Sequence, residues 1–283
     1  MLNVKFSKLL KYDLKNGFKL NLINLLIIII FVSAFCIDFY LRKNSAYRLD
    51  DSIPPGTFID YLFYIFAGIK EYIPSMTDEF LIPVKWLLLL LFILYSTLYY
   101  PYRDLSSLGL NVLLRTKGRT AWWISKCIWN ICYVLVTYVL IFLTVIVFCL
   151  LMKEPISLDI TPMFVNEILD ATSPYDTFSI QLAYIILLLP LLMSIGLNLL
   201  QMTLVLFIKP LYSFGVIAVI LLSSAYLFSP YLPGNYAMPI RSNHVVENGM
   251  SFSGGLIVFL IIFSVSFIVG SIYFRRYDIL DEE

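Results

Sequence analysis

The stretch from Trp86 to Cys149 constrains the fold most, because it contains two long apolar runs separated by a short basic segment. The first run extends from Trp86 to Tyr102 and the second from about Trp122 to Leu151. Runs of this length are typical of membrane-spanning helices, which need about 20 residues. Charged residues between the runs, Arg103 to Lys126, are costly inside hydrocarbon, and positive charge favours the cytoplasmic side. The pattern predicts a helical hairpin with a basic cytoplasmic tip.

The composition extends this interpretation to the whole chain. Hydrophobic residues make up 60% of the 283 residues and charged residues only 14%, whereas a soluble domain is nearer half apolar and a quarter charged. We therefore expect an all-α membrane protein in which residues 1–283 form a single transmembrane domain. The six predicted spans cover residues 20–41, 86–102, 122–151, 179–208, 211–228 and 256–273.

The remaining segments are expected at the two membrane faces. Residues 1–19 alternate apolar side chains with five lysines, which predicts an amphipathic helix at an anionic membrane surface. Residues 42–85, 152–178 and 229–255 are predicted outer segments. Within the first of these, the apolar stretch Phe58 to Ile69 is too short to span. It is either an interfacial or re-entrant helix, or a helix packed on the outer ends of the bundle.

The distribution of charge predicts the orientation. The segments expected inside hold 13 of the 20 lysines and arginines, mostly on short segments, and the outer segments hold 12 acidic residues against 7 basic ones. Short loops weigh most in the positive-inside rule. We therefore expect both termini in the cytoplasm and the protein in the plasma membrane.

Motifs for chemistry are absent from the sequence. It contains no GxxxxGK[ST] phosphate loop, no HExxH or CxxC pair, no GxSxG, and a single histidine, His244. No catalytic residue and no metal site are predicted. Nucleic-acid binding is not expected either, since no basic patch with interleaved aromatics stands clear of the membrane.

A few polar residues fall within the predicted spans. Asn130, Asn198 and Gln201 form either interhelical hydrogen bonds or part of a polar substrate path. The ionisable residues Asp38, Lys126 and Lys209 lie near predicted span ends, where their charged groups are expected to reach water.

The order of these features resembles the membrane subunit of ABC-2-type (type V exporter-like) ABC transporters, and LLRTKGRTAWWISKCIWN, Leu113 to Asn130, is the strongest local match. The resemblance implies that the segment between spans two and three couples to an ATPase. It also implies an elbow helix at residues 1–19 and an outer re-entrant hairpin at Ser229 to Ser253. The implied coupling residues are Arg103, Asp104, Leu105, Leu108, Leu110, Leu113, Arg115, Lys117 and Arg119.

In that family the permease works with a separate ATPase subunit, which holds ATP and Mg, and with a second identical or homologous permease. The resemblance therefore implies no enzyme activity or cofactor in this chain, and export of a peptide, bacteriocin or amphipathic envelope molecule. Three alternatives remain open: an immunity or sensor protein that binds a toxin through its outer loops, an enzyme acting on lipid that uses His244, Glu247 or the outer acids, and a secondary transporter.

Overall fold

The computed structural model describes residues 2–47, 54–74, 79–105, 119–171 and 173–276, and within these ranges the chain is helical with no strand. Five described helices are long and apolar enough to cross a membrane. They are α2 (Leu22–Tyr47), α4 (Val84–Leu105), α5 (Arg119–Met152), α7 (Ile180–Leu204) and α10 (Phe252–Arg276).

The other helices are shorter or less apolar. An N-terminal helix precedes the first long one, three short helices follow turns, and one 17-residue apolar helix corresponds to the predicted span 211–228. They are α1 (Leu2–Leu20), α3 (Phe58–Phe66), α6 (Pro162–Glu167), α8 (Pro210–Tyr226) and α9 (Pro233–Tyr236), followed by a 3-10 turn at Pro239–Arg241.

Different helices lie at the two ends of the bundle. At one end, called here the α1 end, α1 contacts the end of α4 and the start of α5, and the start of α5 in turn contacts the end of α10. There Arg119 donates to the Arg275 carbonyl at 2.9 Å, and Trp122 stacks on Phe274 with ring centroids 4.7 Å apart. The opposite end, called the α3 end, holds α3, α6 and α9.

Helices α7 and α10 run in the same direction. Gly255 lies against Leu189 in the first half of both, and Thr203 Oγ1 donates to the Ser266 carbonyl at 3.0 Å further along both. Because α8 connects the end of α7 to the segment before α10, it must run back between the two ends. Its 17 residues give it a length of about 26 Å.

The apolar stretch in the first outer segment packs inside the bundle. All nine side chains of α3 are buried, against α2, α4, α5 and α7. Such burial fits a helix packed on the bundle, or one that re-enters between the spans, better than a helix exposed at a membrane interface. A capping box begins it: Thr57 Oγ1 accepts from the Asp60 amide, and the Asp60 carboxylate accepts from the Thr57 amide.

A buried arginine holds the segment between α8 and α10. The Arg241 side chain donates to the Ser224 and Ala225 carbonyls at the end of α8, at 2.6 and 2.7 Å. Its Nε also donates to the Ile69 carbonyl at 2.8 Å, just after α3. Burial lowers the pKa of Arg241 to about 10. A cation that satisfies the last carbonyls of a helix stabilises that end.

Candidate functional site

The proposed coupling residues are only partly within the described structure. Arg103, Asp104 and Leu105 form the end of α4. Arg119 is the first residue of α5. Arg103 is exposed, and its guanidinium lies 5.4 Å from the Tyr99 ring centre. Five other residues in the set lie outside the described residues: Leu108, Leu110, Leu113, Arg115 and Lys117.

A buried ion cluster lies where α1, α4 and α5 meet, and α4 and α5 are the helices before and after residues 106–118 in the chain. Lys126 Nζ is 2.6 Å from Asp13 Oδ1 and 2.6 Å from Asp104 Oδ2. The Lys126 and Asp13 side chains are wholly buried, and that of Asp104 is 6% exposed. The cluster therefore joins the N-terminal helix to both helices that flank this segment.

Neutral donors complete the cluster. Ser125 Oγ donates to Asp13 Oδ2 at 2.5 Å, and Tyr100 donates to Asp13 Oδ1 at 3.1 Å. Trp122 Nε1 donates to Asp104 Oδ2 at 3.2 Å. Ionised carboxylates buried in protein need such donors, because the loss of hydration is otherwise costly. One ammonium faces two carboxylates, so the fully ionised cluster carries one net negative charge.

This cluster corrects the expectation for Lys126. It was expected to reach water from a span end, but Asp13 and Asp104 enclose its ammonium in protein. Asp104, expected among the coupling residues, is likewise turned inward. The sequence does hold one signal: Asp13 is the only acidic residue of α1 and lies one helical turn from Leu9 and Gly17. A lone acid between small and apolar residues on one helix face indicates a buried partner.

Close backbone contact seats α1 against α5. Gly17 is buried, and a Cβ built on it would lie 2.0 Å from Trp129 Nε1. The Trp129 ring also packs on Tyr100, with centroids 4.3 Å apart. The opposite face of α1 is exposed and carries Lys8, Lys11, Lys15 and Lys19. The helix is thus amphipathic, as expected, but the centre of its inner face is polar.

The three residues considered for a substrate path are enclosed by the bundle, each about 1% exposed. Asn198 accepts a hydrogen bond from Thr97 of α4, and Gln201 donates to the Leu94 carbonyl of α4 at 3.1 Å. These two residues therefore form hydrogen bonds between α7 and α4, which is the first of the two alternatives for them. The side-chain polar atoms of Asn130 have no protein partner within the described ranges.

At the α3 end, buried polar groups have structural partners. Asp60 accepts from the Thr161 amide at 2.9 Å and from the Thr161 hydroxyl at 2.8 Å, which ties α3 to the start of α6. Burial raises the pKa of Asp60 from its usual value of 3.8 to about 6, although these hydrogen bonds act in the opposite direction. Lys43 of α2 pairs with Glu154 just after α5, both buried.

The two residues considered for catalysis, His244 and Glu247, lie in the segment between α8 and α10. His244 Nδ1 lies 3.3 Å from Ser179 Oγ, beside a cavity of about 460 Å³. Glu247 is exposed, and no described carboxylate makes a hydrogen bond or ion pair with the histidine ring. Among the described residues, no group of three His, Cys, Asp or Glu side chains could hold a metal ion.

Comparisons with known proteins add no family assignment. No family model matches the chain, and no curated protein is significantly similar to it. The chain is a membrane-embedded, all-helical protein in its described part, with a buried ion cluster that joins α1, α4 and α5.

Proposed function

We propose that the chain is the membrane-spanning permease subunit of an ATP-driven transporter of the ABC-2 type. A separate ATPase subunit holds ATP and Mg and docks on residues 103–119. A second copy of this chain, or a homologous permease, completes the path. The cargo is a peptide, a bacteriocin or another amphipathic envelope molecule.

The buried ion cluster carries the proposal. Asp104 and Lys126 lie on either side of residues 106–118 along the chain, and they are linked directly at 2.6 Å. Asp13 links the same ammonium to α1, also at 2.6 Å. A force applied to this segment would therefore act on α1, α4 and α5 together instead of bending one loop. Transmission between distant sites needs such an element, with discrete packed arrangements.

The distribution of charge supports an inward-facing α1 end. The exposed lysines of α1 and Arg103 lie there, whereas described acids such as Glu71, Glu79 and Asp170 lie at the α3 end. Positive charge on short segments favours the cytoplasm. In this proposal α8 is a sixth crossing, with a small mismatch to a hydrocarbon core of about 30 Å. Both termini then lie on the cytoplasmic side of the plasma membrane.

Capture of the partner tests the proposal. The tagged chain is purified from its native cells in mild detergent, and co-purifying proteins are identified by mass spectrometry. We expect a stoichiometric protein with a phosphate-binding GxxxxGK[ST] loop. Charge reversal at Arg115 and Arg119 should reduce its recovery while the permease stays in the membrane. A pure permease without any ATPase, at full yield, would contradict the proposal and favour a toxin-binding immunity protein.

A further inference from the structure

An apolar groove runs along the membrane-facing side of α4. Its floor is a single helical stripe, Val84, Leu88, Leu91 and Tyr95, at spacings of four, three and four residues. Phe31 of α2 forms one wall, and Phe214 of α8 lines the groove from the other neighbouring helix. The groove has a volume of about 450 Å³.

The length of the groove matches one leaflet. From Val84 to Tyr95 the helix rises about 16 Å, at 1.5 Å per residue. Half of a bilayer hydrocarbon core is about 15 Å thick. One extended acyl chain would therefore fill the groove from the α3 end to near the middle of the membrane.

A second cavity of about 460 Å³, with more polar groups, adjoins the groove at the α3 end. Ile82 and Val84 line both spaces, so the two are neighbours. The second cavity is lined by Asp38 and Arg42 of α2 and by Tyr64 and Lys85. An apolar slot in the bilayer thus leads to charged groups at the membrane surface.

The mouth of the groove, defined here as Asp38, Arg42, Tyr64 and Lys85, has charged side chains that are partly exposed. Asp38 Oδ1 lies 3.1 Å from Arg42 Nε, and Asp38 Oδ2 lies 3.8 Å from Lys85 Nζ. The side chains of Arg42 and Lys85 are 59% and 32% exposed. With two cations for one carboxylate, the mouth has a net positive charge and is complementary to a phosphate group.

We propose that the groove and its mouth bind one anionic glycerophospholipid. One acyl chain lies along the stripe on α4, and the phosphate lies against Arg42 and Lys85. We choose a lipid as the occupant for two reasons. The apolar groove faces the bilayer, where lipid is the solvent. The charged mouth lies at the end of the groove, about the thickness of one leaflet from the middle of the membrane. Lipid binding at this site does not require an ATPase, so its test is independent of the test of the proposed transport function.

The headgroup part is tested by lipid titration of the delipidated full chain in detergent, followed by native mass spectrometry. We expect tighter binding of phosphatidylglycerol than of phosphatidylcholine with the same acyl chains. Arg42→Gln and Lys85→Gln should each weaken phosphatidylglycerol binding by about fivefold. The matched control is Lys153→Gln, since Lys153 is exposed just after α5 and lines neither the groove nor the cavity at its mouth. Its affinity should stay at the wild-type value.

The acyl-chain part is tested by filling the groove. Leu91→Trp should reduce binding of both lipids, while Ile261→Trp, on the exposed face of α10, should not. Thermal unfolding of each variant verifies that it is folded, and Leu88→Phe replaces Leu91→Trp if that variant is not. Equal binding of the two lipids by the wild type would overturn the proposal. So would wild-type affinity in the Arg42, Lys85 and groove-filling variants, or equal weakening in the controls.

Discussion

At the scale of single residues, the ammonium of Lys126 has to neutralise two carboxylates at once. Lys126→Met would leave Asp13 and Asp104 buried together without their cation, and removal of one partner from a buried ion pair costs about 3–5 kcal/mol. Asp13→Asn leaves the pair between Lys126 and Asp104 intact, so we expect a smaller loss. The measurement is the free energy of unfolding in mixed detergent and SDS micelles. Equal stability of the two variants would contradict the assigned geometry.

A second residue-scale prediction concerns pH. Because burial raises the pKa of Asp60 to about 6, the folded protein retains a proton between about pH 4 and 6 that the unfolded chain has lost. This contribution to stability is fully present below pH 4 and is lost as pH rises through 6. We expect the unfolding midpoint of the wild type to fall across this window.

The comparison variant is Asp60→Asn, which removes the titrating group and should flatten that part of the pH profile. Asp170→Asn is the matched control, because the Asp170 side chain is 77% exposed and only pairs with Lys70. Its profile should follow the wild type. A profile for Asp60→Asn that retains the wild-type slope would show that another group titrates.

At the scale of elements, the seating of α1 depends on a glycine. A methyl group at Gly17 would overlap the Trp129 ring, so Gly17→Ala must displace α1 or the ring, at a cost of about 1–3 kcal/mol. Gly215 in α8 offers the control, since nothing lies within 4 Å of an added Cβ there. Gly215→Ala should stabilise by about 0.5–1 kcal/mol through helix propensity. Unfolding measurements on both variants should give opposite signs, and destabilisation by both would contradict the packing of α1.

The elements differ in how far the sequence determines them. The long spans follow from apolar runs alone, because hydrocarbon admits only helices and closed barrels, and continuous apolar runs of about 20 residues fit the helix. The burial of α3 does not follow, since its apolar side chains fit a membrane interface equally well. Its place is decided by partners about 100 residues away, such as Thr161, which binds Asp60. Local patterns cannot contain such contacts.

The candidate site shows the same limit. The basic segment between α4 and α5 is visible in the sequence as a run of charges between apolar runs. The pairing of Lys126 with Asp13 joins positions 113 residues apart, and it depends on how α1 folds back onto α5. The sequence nevertheless marks Asp13 as the only acid among the lysines of that helix.

At the scale of the whole molecule, the proposed function gives the two ends of the bundle different roles. We propose that the ATPase docks at the α1 end, which has exposed lysines and the buried ion cluster. In the proposed orientation the α3 end, which holds α3 and the segment bound by Arg241, faces outward. We therefore expect a partner that drives transport to contact the chain at the α1 end.

The most direct measurement of this claim is site-specific photo-cross-linking in native membranes. A photo-reactive residue replaces Lys117 in one variant and Glu71, exposed at the α3 end, in the control. We predict that the Lys117 variant forms an adduct with a protein carrying a phosphate-binding GxxxxGK[ST] loop and that the Glu71 variant does not. An ATPase adduct at Glu71, or none at Lys117 in a correctly inserted protein, would contradict the account.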